Sequence, residues 1–284
     1  MTKGVLLFAS NNPQVDYIKQ AIYCAKRIKQ FLNLPVAIAT PNGDYLTNQF
    51  PFYKSYIDKI INIEATNSNQ VRRFRDGVYS EKRLEWNNLS RADCYELTPF
   101  DQTIVMDTDY LICNSHLKTV FNTKEHIMLY KDYIDVGYNR TNTGLDMVSD
   151  KSIPMYWATV FYFDKSPMSQ MFFNLVKHIK ENWNFYRLTY QISQGNYRND
   201  FAFSIAIHII NGFEKREWPK TLPGKMYLTV DYDVLYEAYD NTFKFLIDNT
   251  MSGNYSAASI KDCNIHIMNK FSLGRHIDRE FENE

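Results

Sequence analysis

The amino-acid sequence predicts an α/β fold in which a doubly wound, mainly parallel central sheet is flanked by helices. Short apolar runs alternate with amphipathic segments along the amino-terminal half, which is the pattern of repeated strand and helix units. These runs lack the apolar-polar alternation of a half-exposed strand, and this is typical of parallel strands covered on both faces. No internal repeat or low-complexity linker divides the chain, so we predict a single Rossmann-like domain over residues 1–284.

The first elements follow from the spacing of apolar residues. Residues 4–9 form a predicted buried strand, and residues 10–13, Ser-Asn-Asn-Pro, form the loop after it. A helix follows, because apolar residues recur three and four positions apart. These residues are Val15, Ile18, Ile22, Ala25, Ile28 and Leu32. Residues 34–40 and 57–63 are the next two predicted strands, so strand and helix alternate in this half.

The middle of the chain predicts one further helix. Ser80 can cap a helix in which Arg83, Asn87 and Arg91 lie four positions apart and form one polar stripe. Pro99 cannot continue a helix, so the helix is expected to end just before it. An apolar run follows directly, too short for a helix and too apolar for an exposed strand, and it predicts a buried strand.

The carboxyl-terminal half predicts fewer regular elements. Residues 131–154 are rich in Asn, Gly and Asp and predict a long loop of the kind that often carries function. A strand over residues 157–164, a helix from Pro167 and a buried helix over residues 201–210 are expected after it. Residues 271–284 are expected to form a flexible tail.

Composition excludes several classes of function. Lys plus Arg and Asp plus Glu both total 32, so no overall basic field points to nucleic acid. The longest apolar runs fall far below the roughly 20 residues that span a bilayer, and we expect no membrane span. The four cysteines are scattered without metal-ligand or disulfide spacing, which favours a cytoplasmic protein.

Asp107 and Asp109 are the central functional candidates. They follow the buried apolar run, and residues two apart in extended chain point the same way. Carboxylate oxygens suit Mn²⁺ or Mg²⁺, which keep open positions for substrate phosphates. Ligands of open α/β sheets bind at the carboxyl ends of the strands. The pattern therefore predicts a divalent metal held against a diphosphate, and nucleotide-sugar chemistry is the leading interpretation.

The ordered motifs resemble the nucleotide-sugar-dependent glycosyltransferases of the GT-A fold, most nearly the glycogenin and lipopolysaccharide galactosyltransferase group. Four segments carry the resemblance over most of the chain: Phe-Ala-Ser-Asn at 8–11, Val-Met-Asp-Thr-Asp at 105–109, Val-Phe-Tyr-Phe at 160–163 and Asn-Asp at 199–200. A late His266 and Lys270 complete the pattern. The resemblance implies a GT-A-type sheet with a nucleotide-binding half over 1–112 and a half for donor sugar and acceptor over 113–270.

The resemblance also implies a role for each matching residue. His266 would join Asp107 and Asp109 in the metal shell, and Asp200 would serve the chemical step. The residues that would contact the nucleotide and its diphosphate are Ala9, Ser10, Asn11, Arg91, Thr108 and Lys270. Asp200 has a second interpretation from its position alone, because Asp ahead of a buried helix commonly bonds the free N–H groups of the first turn.

The implied activity is transfer of a hexosyl or pentosyl group from a nucleotide-diphosphate sugar, expected to be a UDP-sugar, to an acceptor hydroxyl with Mn²⁺ or Mg²⁺. A glycan, a protein and modified DNA are all open as acceptors. A nucleotidyltransferase is one alternative, although the 10–13 loop lacks the Gly-rich, basic sequence that holds a triphosphate. An inactive carbohydrate- or nucleic-acid-binding module is another, because basic residues concentrate between Arg72 and Arg91.

Overall fold

The computed structural model describes residues 1–65, 70–85, 89–138, 140, 145–149 and 152–282, with backbone alone at 89 and 90. The strands are β1 (Lys3–Phe8), β2 (Val36–Thr40), β3 (Lys59–Asn62), β4 (Val71–Arg75), β5 (Glu81–Glu85), β6 (Gln102–Met106), β7 (Tyr110–Leu111), β8 (Ile127–Tyr130), β9 (Ile134–Asp135), β10 (Trp157–Asp164), β11 (Tyr227–Thr229), β12 (Val234–Tyr239), β13 (Thr242–Ile247), β14 (Ser256–Lys261) and β15 (Ile265–Ile267). The helices are α1 (Tyr17–Leu32), α2 (Gly43–Gln49), α3 (Cys94–Leu97), α4 (Pro167–Glu181), α5 (Trp183–Thr189), α6 (Asn199–Ile210) and α7 (Lys270–Glu282).

The central sheet has six strands in the order β3-β2-β1-β6-β10-β8. The first four are parallel, and β10 runs antiparallel to both of its neighbours, β6 and β8. All five residues of β2 and of β6 are buried, which explains why the sequence shows continuous apolar runs there. Helix α1 packs near β2 and α6 near β10. The predicted α/β fold with a mainly parallel sheet is thus confirmed.

Helix α1 shows how local sequence sets an element's limits. Asp16 caps its start by accepting a hydrogen bond from the N–H of Lys19 at 2.9 Å. Its end is marked by Asn33, whose left-handed backbone (φ 50°) lets its N–H reach the carbonyls of Ile28 and Lys29. Because the helix begins at a fixed point beyond β1, the loop between them is held at the carboxyl end of the sheet.

A second, four-stranded sheet in the order β7-β15-β11-β9 lies beyond the end of β6. The chain leaves β6, turns through residues 107–109 and enters β7. Strand β15 pairs antiparallel with β7, so His266 lies opposite Tyr110. This pairing brings a residue from near the carboxyl terminus to the end of a central strand.

Residues 71–85 form a hairpin rather than the helix expected from Ser80. Strands β4 and β5 pair antiparallel, with Arg83 opposite Arg73. Only Phe74 and Leu84 are buried in these strands, so one face of the hairpin is covered. With so few apolar positions, the sequence does not show the alternation of apolar and polar residues that indicates a strand. Arg91 lies in a short 3-10 turn, and Asn87 lies outside the described residues.

Residues 271–282, expected as part of a flexible tail, are helical. Helix α7 buries Ser272, Leu273, His276 and Ile277 and packs against β12 and α1. Two of these four are polar, which hides the buried stripe from a search for apolar spacing. A three-stranded antiparallel sheet, β12-β13-β14, also went unpredicted. In the described part of the chain, no helix has the length and apolar character needed to cross a membrane.

Arg140 joins two acidic residues, Asp135 on β9 and Asp233 directly before β12, and its removal gives a stability prediction. Its Nε donates to Asp135 at 2.8 Å and its Nη1 to Asp233 at 2.6 Å, and all three side chains are nearly buried. Arg140→Met should lower the free energy of unfolding by about 3–5 kcal/mol, because two buried carboxylates lose their countercharge. Urea unfolding measures this change. Arg216→Met, which removes an exposed partner of Glu214, is the control and should change little.

Candidate functional site

The two acids predicted from the sequence lie on a tight turn. Strand β6 ends at Met106, and the N–H of Tyr110 donates to the carbonyl of Asp107 at 3.1 Å. The N–H of Asp107 is held by the carbonyl of Thr159 on β10 at 2.8 Å. The two acids do face one site, as expected. The assumed reason is wrong, because the chain turns between them and is not extended.

His266 lies against these acids. Oxygen atoms of Asp107 and Asp109 and a ring nitrogen of His266 all lie within 4.8 Å of one another. His266 Nε2 is 3.1 Å from Asp109 Oδ2, and both residues are buried. The structure thus brings together the three side chains that the sequence proposed as a metal shell.

Lys270 supplies a positive charge at the same point. It is the first residue of α7, and its Nζ donates to Asp109 Oδ2, the oxygen that His266 also approaches. Burial alone would raise the pKa of Asp109, but Lys270 and His266 outweigh burial and hold that pKa well below its usual range. Asp109 is therefore ionised and bound to a cationic side chain at neutral pH.

Arg91 donates hydrogen bonds to two other groups of the protein. Its Nη2 donates to Asp107 Oδ1 and its Nη1 to the carbonyl of Ala158 at 2.6 Å. Burial by itself would lower the pKa of Arg91, and the neighbouring Asp107 carboxylate reverses this and raises it. Arg91 lines the cleft, but in this structure both terminal nitrogens orient Asp107 and β10 rather than facing a ligand.

Asp200 is the second residue of α6 and does not cap it. The capping position is Arg198, which makes no side-chain capping bond. Asp200 Oδ1 accepts from the N–H of Ala158 at 2.9 Å, and Oδ2 accepts from Arg198 Nη2 at 2.9 Å. The helix-cap interpretation is therefore wrong. Burial would raise the pKa of Asp200, but Arg198, the Ala158 N–H and Arg91 together lower it, so the carboxylate is ionised at neutral pH.

The loop after β1 divides into residues that face the cleft and one that does not. Ala9 and Ser10 line the cleft, as does Thr108 on the turn at residues 107–109, which we call the acid turn. Asn11 faces away, because its side chain donates to Asp16 at 3.0 Å and accepts from the N–H of Ile18 at 2.9 Å. Asn12, which the sequence did not single out, lines the cleft beside Ser10.

These residues border one open cleft at the carboxyl ends of β1 and β6. The acids, the basic side chains and Asp200 all belong to its lining. The sequence-predicted members are Ala9, Ser10, Arg91, Asp107, Thr108, Asp109, Asp200, His266 and Lys270. Arg198 and Trp157 also line it and were not predicted, although a cation two residues before Asp200 and an indole at the start of a buried strand were visible signals.

No protein-family model and no curated protein matches this sequence. Among solved structures, the chain is similar to the galactosyltransferase LgtC in complex with donor and acceptor sugar analogs, at 12% identity over 80% of this chain and 73% of that one, with a TM-score of 0.44. The glycosyltransferase GlyE of Streptococcus pneumoniae TIGR4 is 10% identical over 81% of this chain and 45% of that one, with a TM-score of 0.41. Mouse xyloside xylosyltransferase 1 is 9% identical over 75% of this chain and 83% of that one, with a TM-score of 0.40. At such identities the role of each residue depends on the geometry of the site itself.

Proposed function

We propose that the protein is a metal-dependent glycosyltransferase that moves a sugar from a nucleotide-diphosphate sugar to an acceptor hydroxyl. One observation carries the proposal: Asp107, Asp109 and His266 converge within 4.8 Å in an open cleft at the carboxyl end of a parallel sheet. Such a position suits a ligand that brings its own phosphates. The proposed donor is a UDP-sugar and the proposed ion is Mn²⁺ or Mg²⁺.

The chemistry of the three side chains supports a divalent ion. Two carboxylates and one imidazole form a mixed oxygen and nitrogen set that suits Mn²⁺ or Mg²⁺ and leaves positions for phosphate oxygens. In this structure the Lys270 ammonium occupies Asp109 Oδ2, so an ion bound to that oxygen would replace it. Asp107, Asp109 and His266 would hold the ion, which when bound supplies Lewis-acid neutralisation of the leaving diphosphate.

The remaining residues would bind and orient the substrate. Lys270 would contact the diphosphate and add positive charge where the leaving group becomes more negative. Arg91 would keep Asp107 aligned with β10, as its two hydrogen bonds indicate. The ionised Asp200 would stabilise the positive charge that develops at the anomeric carbon. Ala9, Ser10 and Thr108 would border the nucleotide.

A hydrolysis screen tests the proposal directly. Nucleotide sugars that differ in base and sugar are incubated with the protein and Mn²⁺ or Mg²⁺, and release of nucleoside diphosphate is measured. We expect at least one UDP-sugar to be hydrolysed, and EDTA to stop the reaction. Absence of metal-dependent binding and release for every donor would refute the assignment.

Lys270 gives a further prediction. Lys270→Gln should weaken binding of Mn²⁺–UDP by about tenfold or more, because a charged hydrogen-bond donor to phosphate is lost. Isothermal titration calorimetry measures the affinity. Lys19→Gln is a matched control, since Lys19 pairs with Asp278 on the surface and does not line the cleft. Equal affinity in the wild-type and Lys270→Gln proteins would remove Lys270 from the diphosphate site.

A further inference from the structure

The turn of the β4–β5 hairpin is bound to α7 through Asp76. This residue directly follows β4 and accepts two hydrogen bonds from Arg275, from Nη1 at 2.6 Å and from Nη2 at 2.8 Å. A carboxylate that accepts from both terminal nitrogens of a guanidinium is fixed in direction as well as in distance. Asp76 is half-buried and Arg275 is exposed, and neither lines the cleft. The pair therefore joins the hairpin to α7 outside the site.

The same carboxylate contacts the residue that caps α7. Asn269 is buried, and its Nδ2 donates to Asp76 Oδ1 at 3.3 Å. Its own Oδ1 accepts from the N–H of Ser272 at 2.9 Å, which is the capping bond of the first turn. The next residue, Lys270, begins α7 and donates to Asp109. Asp76 is thus one hydrogen bond away from the residue that precedes the cleft lysine.

A third contact between the hairpin and α7 is apolar. Phe271, the second residue of α7, packs against a small buried cluster that contains Phe74 of β4 and Leu84 of β5. The Lys82 ammonium lies 5.3 Å from the centre of the Phe271 ring. An ion pair, a hydrogen bond and a packed ring therefore all join the hairpin to the first two turns of α7.

The joined elements both border the cleft. Glu85 of the hairpin lines it, and so does Lys270 of α7. Because Lys270 follows directly on Asn269, a shift of the helix start would move the ammonium within the cleft. We propose that Asp76 is a positioning residue, which acts through its two contacts with α7 to fix where Lys270 presents its charge to the diphosphate. The inference rests on the proposed function, in which Lys270 contacts the leaving group.

A double-mutant cycle tests whether Asp76 acts through Lys270. The affinity for Mn²⁺–UDP is measured by calorimetry in the wild-type protein, in Asp76→Ala, in Lys270→Gln and in the double variant, and also in Asp76→Asn. Glu81→Ala is the matched control, because Glu81 pairs with Arg75 at 2.9 Å on the same hairpin and does not line the cleft. Hydrogen exchange of the backbone amides of residues 270–275 is followed in the same proteins without ligand.

We expect Asp76→Ala to weaken Mn²⁺–UDP binding by about fivefold, and Asp76→Asn, which keeps an acceptor oxygen, to weaken it less. In the Lys270→Gln background, Asp76→Ala should have no further effect, because two residues that act on one interaction are not additive. Amide exchange over residues 270–275 should be faster in Asp76→Ala and unchanged in Glu81→Ala.

Three results would overturn the proposal. Unchanged affinity in a folded Asp76→Ala protein would make Asp76 a structural contact alone. An equal loss of affinity in the Lys270→Gln background would show that Asp76 acts independently of Lys270. Unchanged amide exchange would show that Asp76 does not fix the start of α7. If the wild-type protein binds no UDP with Mn²⁺, the proposed function fails, whereas faster exchange in Asp76→Ala would still support control of the helix start by Asp76.

Discussion

Replacing Asp109 by asparagine should reduce metal-dependent hydrolysis of the donor by about a thousandfold or more. Asn has nearly the same shape but carries no charge, so it binds a divalent ion far more weakly than a carboxylate does. The change also leaves the Lys270 ammonium beside a neutral amide, where it repels an incoming cation. The loss should appear both as lower turnover and as weaker Mn²⁺-dependent binding of UDP.

Turnover and calorimetric affinity, each measured over a range of Mn²⁺ concentrations, check this expectation. Asp44→Asn is the matched control, because Asp44 is exposed on α2 and lies outside the cleft. Circular dichroism establishes that the variant is folded, since a buried carboxylate is being changed. Undiminished Mn²⁺-dependent UDP binding by Asp109→Asn would exclude Asp109 as a metal ligand.

Asp200→Asn should reduce turnover by about a hundredfold or more and leave donor affinity nearly unchanged. The amide oxygen of Asn can still accept from the N–H of Ala158, while the negative charge and the hydrogen bond from Arg198 are lost. An interaction that strengthens only in the transition state affects rate rather than ground-state binding. Because Asp200 is not the cap of α6, its loss does not expose the end of that helix.

Single-turnover hydrolysis and donor titration distinguish the possible roles of Asp200. A parallel fall in affinity and rate would indicate that Asp200 positions the donor through Arg198. Near-normal turnover would show that its charge has no part in the chemical step. In that case, the residues of the 131–154 segment that the structure describes become the next candidates.

The parts of the fold that the sequence predicts are those with strong local patterns. Strands β2 and β6 are buried along their whole length, and α1 carries one continuous apolar face with a cap at each end. The β4–β5 hairpin was missed because only Phe74 and Leu84 are buried in it, and alternating arginines and glutamates resemble a solvated helix face. The burial of Phe74 and Leu84 depends on contacts with distant parts of the chain, which the local sequence does not show.

In the site, too, local patterns are predictable from the sequence and contacts between distant residues are not. Asp107 and Asp109 are adjacent in sequence and end an apolar run, so they were found without any tertiary information. The contact between His266 and Asp109 joins residues 157 positions apart, and only the resemblance suggested it. The engagement of Arg91 with Asp107 and of Arg198 with Asp200 depends on where β10 and α6 lie. Composition and spacing carry no information about such partners.

The separation between Asp109 and His266 has a consequence for the order of synthesis. Chains emerge from the ribosome amino terminus first, so the acid turn is made well before β15 and α7. Until those last elements emerge, the two aspartates lack both His266 and the ammonium of Lys270. A nascent chain can thus build most of its central sheet while its cleft is still incomplete, and the proposed binding of an ion and a nucleotide becomes possible only after β15 and α7 have been made.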